Sequence, residues 1–317
     1  MSRKNIEKIK NNIAKVIVGK DEVVELLLTT LLANGHILID DVPGMGKTKL
    51  ANTLARSINS DFKRIQFTPD LQPSDITGIY FYNQKKSEFI FRKGPILSNI
   101  VLADEINRAV PRTQASLLEA MEERQLTVEG NLFKIKEPFM VIATQNPVEL
   151  EGTFPLPEAQ LDRFLMKIKI GYPDKDEENL ILDRFKKNDP IEGLDSVIDK
   201  KEIITLREEV KKVKISDDLK DYIVSLNNYT RKNKNLKLGV SPRGSIALMN
   251  ASLAYAYLKN RDYVLPDDIK YLYPYVVEHR IILSDESELQ GISKKEIIRN
   301  TLNNIEVPVE GVVNEGA

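Results

Sequence analysis

One octet constrains this chain more than any other: Asp41-Val-Pro-Gly-Met-Gly-Lys-Thr48, set between a short apolar run, His36–Asp40 (HILID), and a helical pattern over Lys47–Ile58. A strand that turns through glycines straight into a helix gathers backbone N–H groups and the positive end of the helix dipole at one point, which is an anion site. The octet also fixes the fold class. Four further apolar runs, Phe62–Phe67, Asn99–Ala103, Phe139–Thr144 and Phe164–Ile170, alternate with helical patterns such as Arg112–Arg124. Strands that alternate with helices predict a parallel α/β sheet.

Two pieces break that rhythm. Tyr80–Tyr82 and Phe89–Phe91 flank a polar turn at Asn83–Glu88, and Leu126–Val128 and Leu132–Ile135 flank Gly130-Asn131; both read as hairpins. Ahead of the octet, Ile6, Ile9, Ile13 and Val16 lie at helical spacing. A second helix carries Val24, Leu27, Leu28 and Leu31, with Asp21 as its expected cap and Gly35 as its expected end. Beyond Tyr172 the strand signal stops. Helices are predicted at Asp176–Lys187, Lys201–Val213, Asp217–Lys232, Pro242–Leu258, Pro266–His279 and Lys294–Asn304. Ser216 and Ser241 stand where N-caps belong, and Pro242 and Pro266 where first-turn prolines belong. The expected organisation is an α/β core over 1–185, with a hairpin insert at about 79–92, and an all-α domain over 186–317. The loop-like KNDPIEGLD lies in the connecting region, and the tail VPVEGVVNEGA is expected to be partly disordered.

Composition narrows the chemistry. There is no cysteine and there are only two histidines, His36 and His279, so disulfides, thiol catalysis and Cys- or His-built metal sites are set aside. Lys and Arg (46) nearly balance Asp and Glu (47), for a net charge of -1, which is not the basic excess of a general nucleic-acid binder. The first residues repeat charges without a secretory apolar core, and no run approaches the roughly 18 apolar residues of a membrane span. A cytoplasmic protein is expected.

The octet matches a Walker A loop in its required strand-to-helix context. Gly44 and Gly46 are expected to admit phosphate oxygens where a Cβ would obstruct, Lys47 to reach the β- and γ-phosphates of ATP, and Thr48 to give its hydroxyl to Mg²⁺. Asp41 stands where the motif has its first glycine, and is read as tolerating the unusual backbone angles of that turn. Asn99-Ile-Val-Leu-Ala-Asp-Glu105 is an apolar strand that ends in two acids, which packing does not require. Asp104 fits a metal carboxylate, and Glu105 fits the group that orients or deprotonates the attacking water. Met140–Asn146 is a third such strand, with Asn146 placed to bond a γ-phosphate or that water. His279-Arg280 closes a predicted helix and receives no catalytic role.

Together these strand ends resemble the Walker A, Walker B and sensor 1 layout of AAA+ ATPases. DVPGMGKT, FTPDLQPSDITG, FRKGPILSNIVLADEINRA, LLEAMEERQLTV, ATQNPVELEGTFPLPEAQLDRF and GVSPRG further resemble signatures of the MoxR family, from about residue 18 to 245. The resemblance implies an αβα core with a helical lid and Mg²⁺-dependent ATP hydrolysis in a ring, commonly a hexamer. It implies that Arg163 is an arginine finger acting on a neighbour's nucleotide, that Arg243 is sensor 2, and that Val18 and Gly19 lie near the adenine. The nucleotide-binding set is then Val18, Gly19, Pro43, Gly44, Met45, Gly46, Lys47, Thr48, Lys49 and Arg243. The hairpin at 79–92 resembles an insert that faces the pore of such rings, with an aromatic packing hairpin as the alternative. The implied role is chaperone-like maturation of a protein client, including von Willebrand factor A domain proteins. Two rival readings are a nucleic-acid-dependent motor and a nucleotide-gated scaffold with little turnover.

Overall fold

The computed structural model describes residues 3–147 and 152–308. The VELE stretch of the ATQNPVELEG segment and the tail from 309 onward lie outside the described residues. The chain forms two compact units, Met1–Lys211 and Lys212–Ala317.

The first unit runs α1 (Arg3–Ala14), α2 (Asp21–Leu32), β1 (Ile37–Asp40), α3 (Lys47–Ser57), β2 (Phe62–Gln66), α4 (Pro73–Thr77), β3 (Gly78–Asn83), β4 (Glu88–Lys93), β5 (Ile100–Asp104), α5 (Pro111–Glu123), β6 (Gln125–Val128), β7 (Asn131–Lys134), β8 (Met140–Gln145), α6 (Glu158–Leu161), β9 (Met166–Ile168), α7 (Lys175–Lys187) and α8 (Lys200–Val210). Five strands form one parallel sheet in the order β2-β5-β8-β1-β9. The bodies of its middle strands are apolar because both faces are covered: Ile37–Ile39, Val101–Ala103 and Val141–Ala143 are fully buried. The chain leaves β1 for the far edge at β2, whereas it leaves β8 in the opposite direction, past β1, to β9. Crossovers that diverge in this way open a crevice beyond the carboxyl ends of the strands, where open α/β sheets bind ligands.

Local chemistry refines several expectations. Helix α2 begins at Asp21 itself, with Lys20 at the cap position. Its end turns through Asn34, the residue with positive φ (57°). Gly35 is needed for a different reason: a Cβ there would lie 2.7 Å from the Leu165 side chain. The β6–β7 turn is Glu129-Gly130, both at positive φ, one position earlier than expected. The two hairpins, β3–β4 and β6–β7, stand outside the main sheet. They meet through a stacked pair, Phe91 and Phe133, with ring centroids 4.2 Å apart. The last strand of this unit, β9, ends at Ile168, and compact packing continues through α7 and α8 to Lys211, past the 185/186 boundary expected from the sequence. Arg184 Nη1 donates to the carbonyls of Ala14 and Lys15, and Arg207 Nε to that of Leu31, which ties α7 and α8 to α1 and α2.

The second unit comprises α9 (Asp217–Lys232), β10 (Leu236–Leu238), α10 (Pro242–Leu258), α11 (Pro266–Val277), β11 (Ile282–Leu283), α12 (Asp285–Leu289) and α13 (Lys294–Asn304). It is a helical domain around Leu226, Leu248, Ile269, Leu272, Tyr273 and Val276, with a short β10–β11 ribbon that the sequence pattern did not reveal. Ser216 and Ser241 cap α9 and α10, accepting from Leu219 N and Gly244 N. The GVSPRG segment owes its first glycine to crowding, since a Cβ on Gly239 would meet the Arg231 backbone at 2.7 Å. Thr230 Oγ1 accepts from Val240 N, and Arg231 Nε donates to Val240 O. The loop is thereby strapped to α9, and Arg243 is exposed in the first turn of α10.

Candidate nucleotide site

The site is built on the carboxyl ends of β1, β5 and β8. Register sets their level: Asp40 pairs with Gln145, and Gln66 with Asp104. From β1 the chain enters the phosphate loop. Gly44 (φ 87°) and Gly46 (φ 76°) are left-handed, and Gly46 is the N-cap of α3. A Cβ built at either glycine meets no protein atom within 4 Å. The protein's own packing therefore does not demand glycine here. The backbone conformation does, and the open space beside it is a cradle that side chains would fill. Lys47 is buried, and its ammonium donates to Asp41 O at 2.6 Å. Burial pulls its pKa down, while the carboxylates of Asp104, Asp41, Glu105 and Asp40 oppose that shift. Thr48 is exposed in the first turn of α3.

Asp41 behaves differently from the reading of its sequence position. It has no positive φ. Its buried carboxylate instead accepts three backbone N–H groups, from Val42 (2.8 Å), Ile170 (2.7 Å) and Gly171 (2.7 Å). The side chain that replaces the first glycine thus staples the phosphate loop to the segment leaving β9.

At the end of β5, Asp104 is held from two sides. Thr144 Oγ1 donates to its Oδ1 at 2.6 Å, and Arg64 Nε and Nη2 donate to its Oδ2 at 3.0 and 2.6 Å. Glu105 sits in the left-handed region (φ 56°, ψ 51°), a conformation that costs a non-glycine residue about 1 kcal/mol. Its N–H donates to Thr144 Oγ1, its Oε2 accepts from Gln66 Nε2 at 2.7 Å, and Arg108 lies 3.3 Å from the same oxygen. The sharp turn carries the glutamate out of the strand's pleat, so two successive acids serve different neighbours. Asn146 follows β8 and is buried. Thr144, Arg64 and Gln66 escaped the sequence reading. The signal available was β2 itself, where Lys63, Arg64 and Gln66 leave three of five positions exposed in a strand next to the core.

The other expected residues have settings of their own. Val18 is buried, and Gly19 takes positive φ (64°) with the Glu177 side chain packed against it. Pro43 is exposed and Met45 half-buried within the loop. Lys49 turns its side chain to Asp189, 2.6 Å away, and over the Phe185 ring. Arg163 lies beyond α6 and pairs with Glu122 at 2.6 Å. Arg243 belongs to the second unit. Among the described residues no group of three or more His, Asp or Glu side chains could hold a metal ion. Mg²⁺ requires no such cage, because one or two carboxylates plus phosphate oxygens and water suffice.

Comparison with known proteins gives the family. Residues 36–166 match the model of the ATPase family associated with various cellular activities (AAA), and residues 228–301 match the AAA lid domain. Chaperone MoxR1 of Mycobacterium tuberculosis is 40% identical over 96% of this chain and 83% of its own length. The chain belongs to the MoxR family of AAA+ ATPases. The uncharacterised protein YeaC of Bacillus subtilis is 54% identical to this MoxR-family chain over 94% of it and 93% of YeaC. A crystal structure of a protein from Cytophaga hutchinsonii superposes with a TM-score of 0.92 at 41% identity, covering 97% of this chain and 96% of that one. Family membership supports ATPase activity for this chain, which has an AAA core and a helical lid and is related to proteins named as chaperones. No helix among its described residues is long and apolar enough to cross a membrane.

Proposed function

We propose that this protein hydrolyses ATP with Mg²⁺ in a ring of identical subunits, commonly a hexamer, and uses the cycle to remodel or activate a protein partner in the cytoplasm. The observation that carries the reading is the common level of three parallel strand ends, which bear Lys47 and Thr48, Asp104 and Glu105, and Asn146. The loop N–H groups and Lys47 hold the β- and γ-phosphates. Thr48 and Asp104 supply oxygen ligands, the hard-donor set that suits Mg²⁺. Mg²⁺ held by Thr48 and Asp104 would supply positive charge to offset that of the phosphates. Glu105 orients or deprotonates the attacking water, with Asn146 bonding that water or the γ-phosphate. Val18, Gly19, Pro43, Met45 and Lys49 complete the binding segment through backbone and shape. Arg163, permanently charged, serves a neighbour's nucleotide, and Arg243 reports nucleotide state to the lid.

The partner is proposed to be a protein, with von Willebrand factor A domain proteins as the class to try first. The balanced charge of the chain favours this over a nucleic acid. The exposed hairpin aromatics Tyr82 and Phe89 are its proposed contact. The test is Mg²⁺-dependent ATPase activity combined with subunit mixing. Arg163→Ala should bind ATP nearly normally and lose turnover on the order of 10³-fold. Mixed with Glu105→Gln, itself inactive, it should regain partial activity, because some interfaces then join an intact Glu105 to a neighbour's intact Arg163. A fully active Arg163→Ala protein sinks the ring reading.

A further inference from the structure

The finger proposed above is not a loose side chain. Arg163 Nε donates to Glu122 Oε2 at 2.6 Å, and its Nη1 donates to Ala159 O at 3.2 Å. The first tether reaches across to α5, and the second reaches back one turn within α6. Two tethers on different nitrogens fix both the position and the plane of a rigid guanidinium. They also leave one edge of it, Nη2, without a partner among the described residues. The pair lines a surface cavity of about 260 Å³ bounded by Leu118, Glu119 and Gln160. Both side chains are about two-thirds shielded from solvent, at 28% and 33% exposure.

An arginine that merely needed a counter-ion would do best with a bidentate carboxylate that takes Nε and Nη2 together in two parallel bonds. Here the carboxylate takes Nε alone and leaves Nη2 open. A carboxylate also subtracts charge from a group whose use is its charge, so the contact is better explained by orientation. Transition-state stabilisation requires donors fixed before charge develops, without reorganisation at the moment of reaction.

We infer that Glu122 is the positioning residue of the arginine finger: it fixes the guanidinium through Nε and presents the Nη2 edge to the phosphate of a neighbouring copy. The inference depends on the reading of Arg163 given above. Glu122 touches no nucleotide in this scheme and acts only through Arg163.

The test is a set of single and double variants of the full chain, read as kcat, KM and complementation in mixed rings. Glu122→Ala should lower kcat on the order of 10²-fold, the cost of a misplaced catalytic group, with KM for ATP and sedimentation in ATP and Mg²⁺ unchanged. Glu122→Gln keeps an oxygen acceptor for Nε, so it should recover part of the loss; it also serves as the deciding variant if the alanine protein is misfolded. Arg163→Ala with Glu122→Ala should be no slower than Arg163→Ala alone. Glu122 and Arg163 act from the same subunit. Glu122→Ala should therefore regain activity when mixed with Glu105→Gln and regain none when mixed with Arg163→Ala, a pattern that general loss of structure does not produce. If Glu122→Ala keeps or exceeds normal turnover while Arg163→Ala is inactive, the positioning role is overturned and the finger stands. If Arg163→Ala is itself fully active, the finger falls, and the positioning role with it.

Discussion

At the amino ends of the parallel strands, polar side chains are consumed by the fold. His36 precedes β1: its Nδ1 accepts from Val141 N at 2.9 Å, and its Nε2 meets Met121 O at 3.1 Å. Asn99 precedes β5 and donates to Lys136 O and Pro138 O while accepting from Asp61 N. Both are almost fully buried. At the carboxyl ends of the same strands, Lys47, Asp104 and Glu105 are bonded to groups that a nucleotide could replace: a loop carbonyl, a half-exposed arginine and a glutamine at the sheet edge. Burial alone does not separate the two sets, since Lys47 and Asp104 count as buried with His36. What separates them is whether all of a residue's hydrogen bonds close on the scaffold, as at His36 and Asn99, or one of them closes on something exchangeable, as Asp104 does on Arg64 beside its bond from Thr144.

That contrast can be broken by substitution. The largest effect is expected at Glu105→Gln, which keeps the shape and the Gln66 contact but removes the charge. Turnover should fall by about 10²–10⁴-fold with ATP binding retained, measured by steady-state hydrolysis beside calorimetry; normal hydrolysis would make Glu105 scaffold, like His36. Next comes Lys47→Ala. Loss of a charged hydrogen-bond donor worth roughly 1.5–3 kcal/mol should weaken ATP binding about 10- to 100-fold, and unchanged affinity by calorimetry would remove the phosphate-loop assignment.

The opposite end should answer in stability and not in chemistry. Burial, reinforced by the nearby Arg124, pushes the His36 pKa down from 6.5 to about 3. Between those values the unfolded chain binds a proton that the folded chain refuses. His36 therefore makes stability fall as pH drops below about 6.5, by about 1.4 kcal/mol per pH unit for the one proton involved. Urea unfolding from pH 7 to pH 5 should show this slope in the natural protein and lose it in His36→Gln. That variant should be less stable at neutral pH yet hydrolyse ATP at the normal rate while folded. A turnover defect at full occupancy of the folded state would place His36 on the functional side of the comparison. The smallest effect on the ATPase is expected for Tyr82→Ala and Phe89→Ala, whose side chains are 52% and 69% exposed. Basal turnover should be unchanged and client-dependent function lost; unfolding of both variants would mark the hairpin as packing.

The sequence made the candidate site legible because its motifs are local. Each strand and the polar residues that end it are contiguous, so HILID-DVPGMGKT and NIVLADE declare themselves. Groups delivered by sheet register were invisible. Arg64 and Gln66 reach Asp104 and Glu105 from about 40 residues upstream, and Thr144 comes from about 40 downstream. Asp41 was located by its motif but misread, because its role depends on Ile170 and Gly171, which only the fold brings near. Elements too short to show a period were also missed: α4, α6 and α12 span four or five residues each, and β10–β11 two or three. For α7 and α8 the apolar pattern announced helices but not their neighbours, which are chosen by hydrogen bonds from Arg184 and Arg207 to the ends of α1 and α2.

The stacked rings of Phe91 and Phe133 have a mechanical consequence. Phe91 belongs to the hairpin that carries the exposed Phe89, and Phe133 to the hairpin whose first strand, β6, is separated from the end of α5 by Arg124 alone. Near that end of α5 sits Glu122, holding Arg163. A load applied at Phe89 therefore has a short, continuous route to the guanidinium: along one strand, across a ring stack, back through a second hairpin and into the last turn of a helix. A double-mutant cycle between Phe91 and Arg163 measures how much of that load arrives. If the route transmits, the hairpin tip is a lever whose short arm ends at the Arg163 guanidinium.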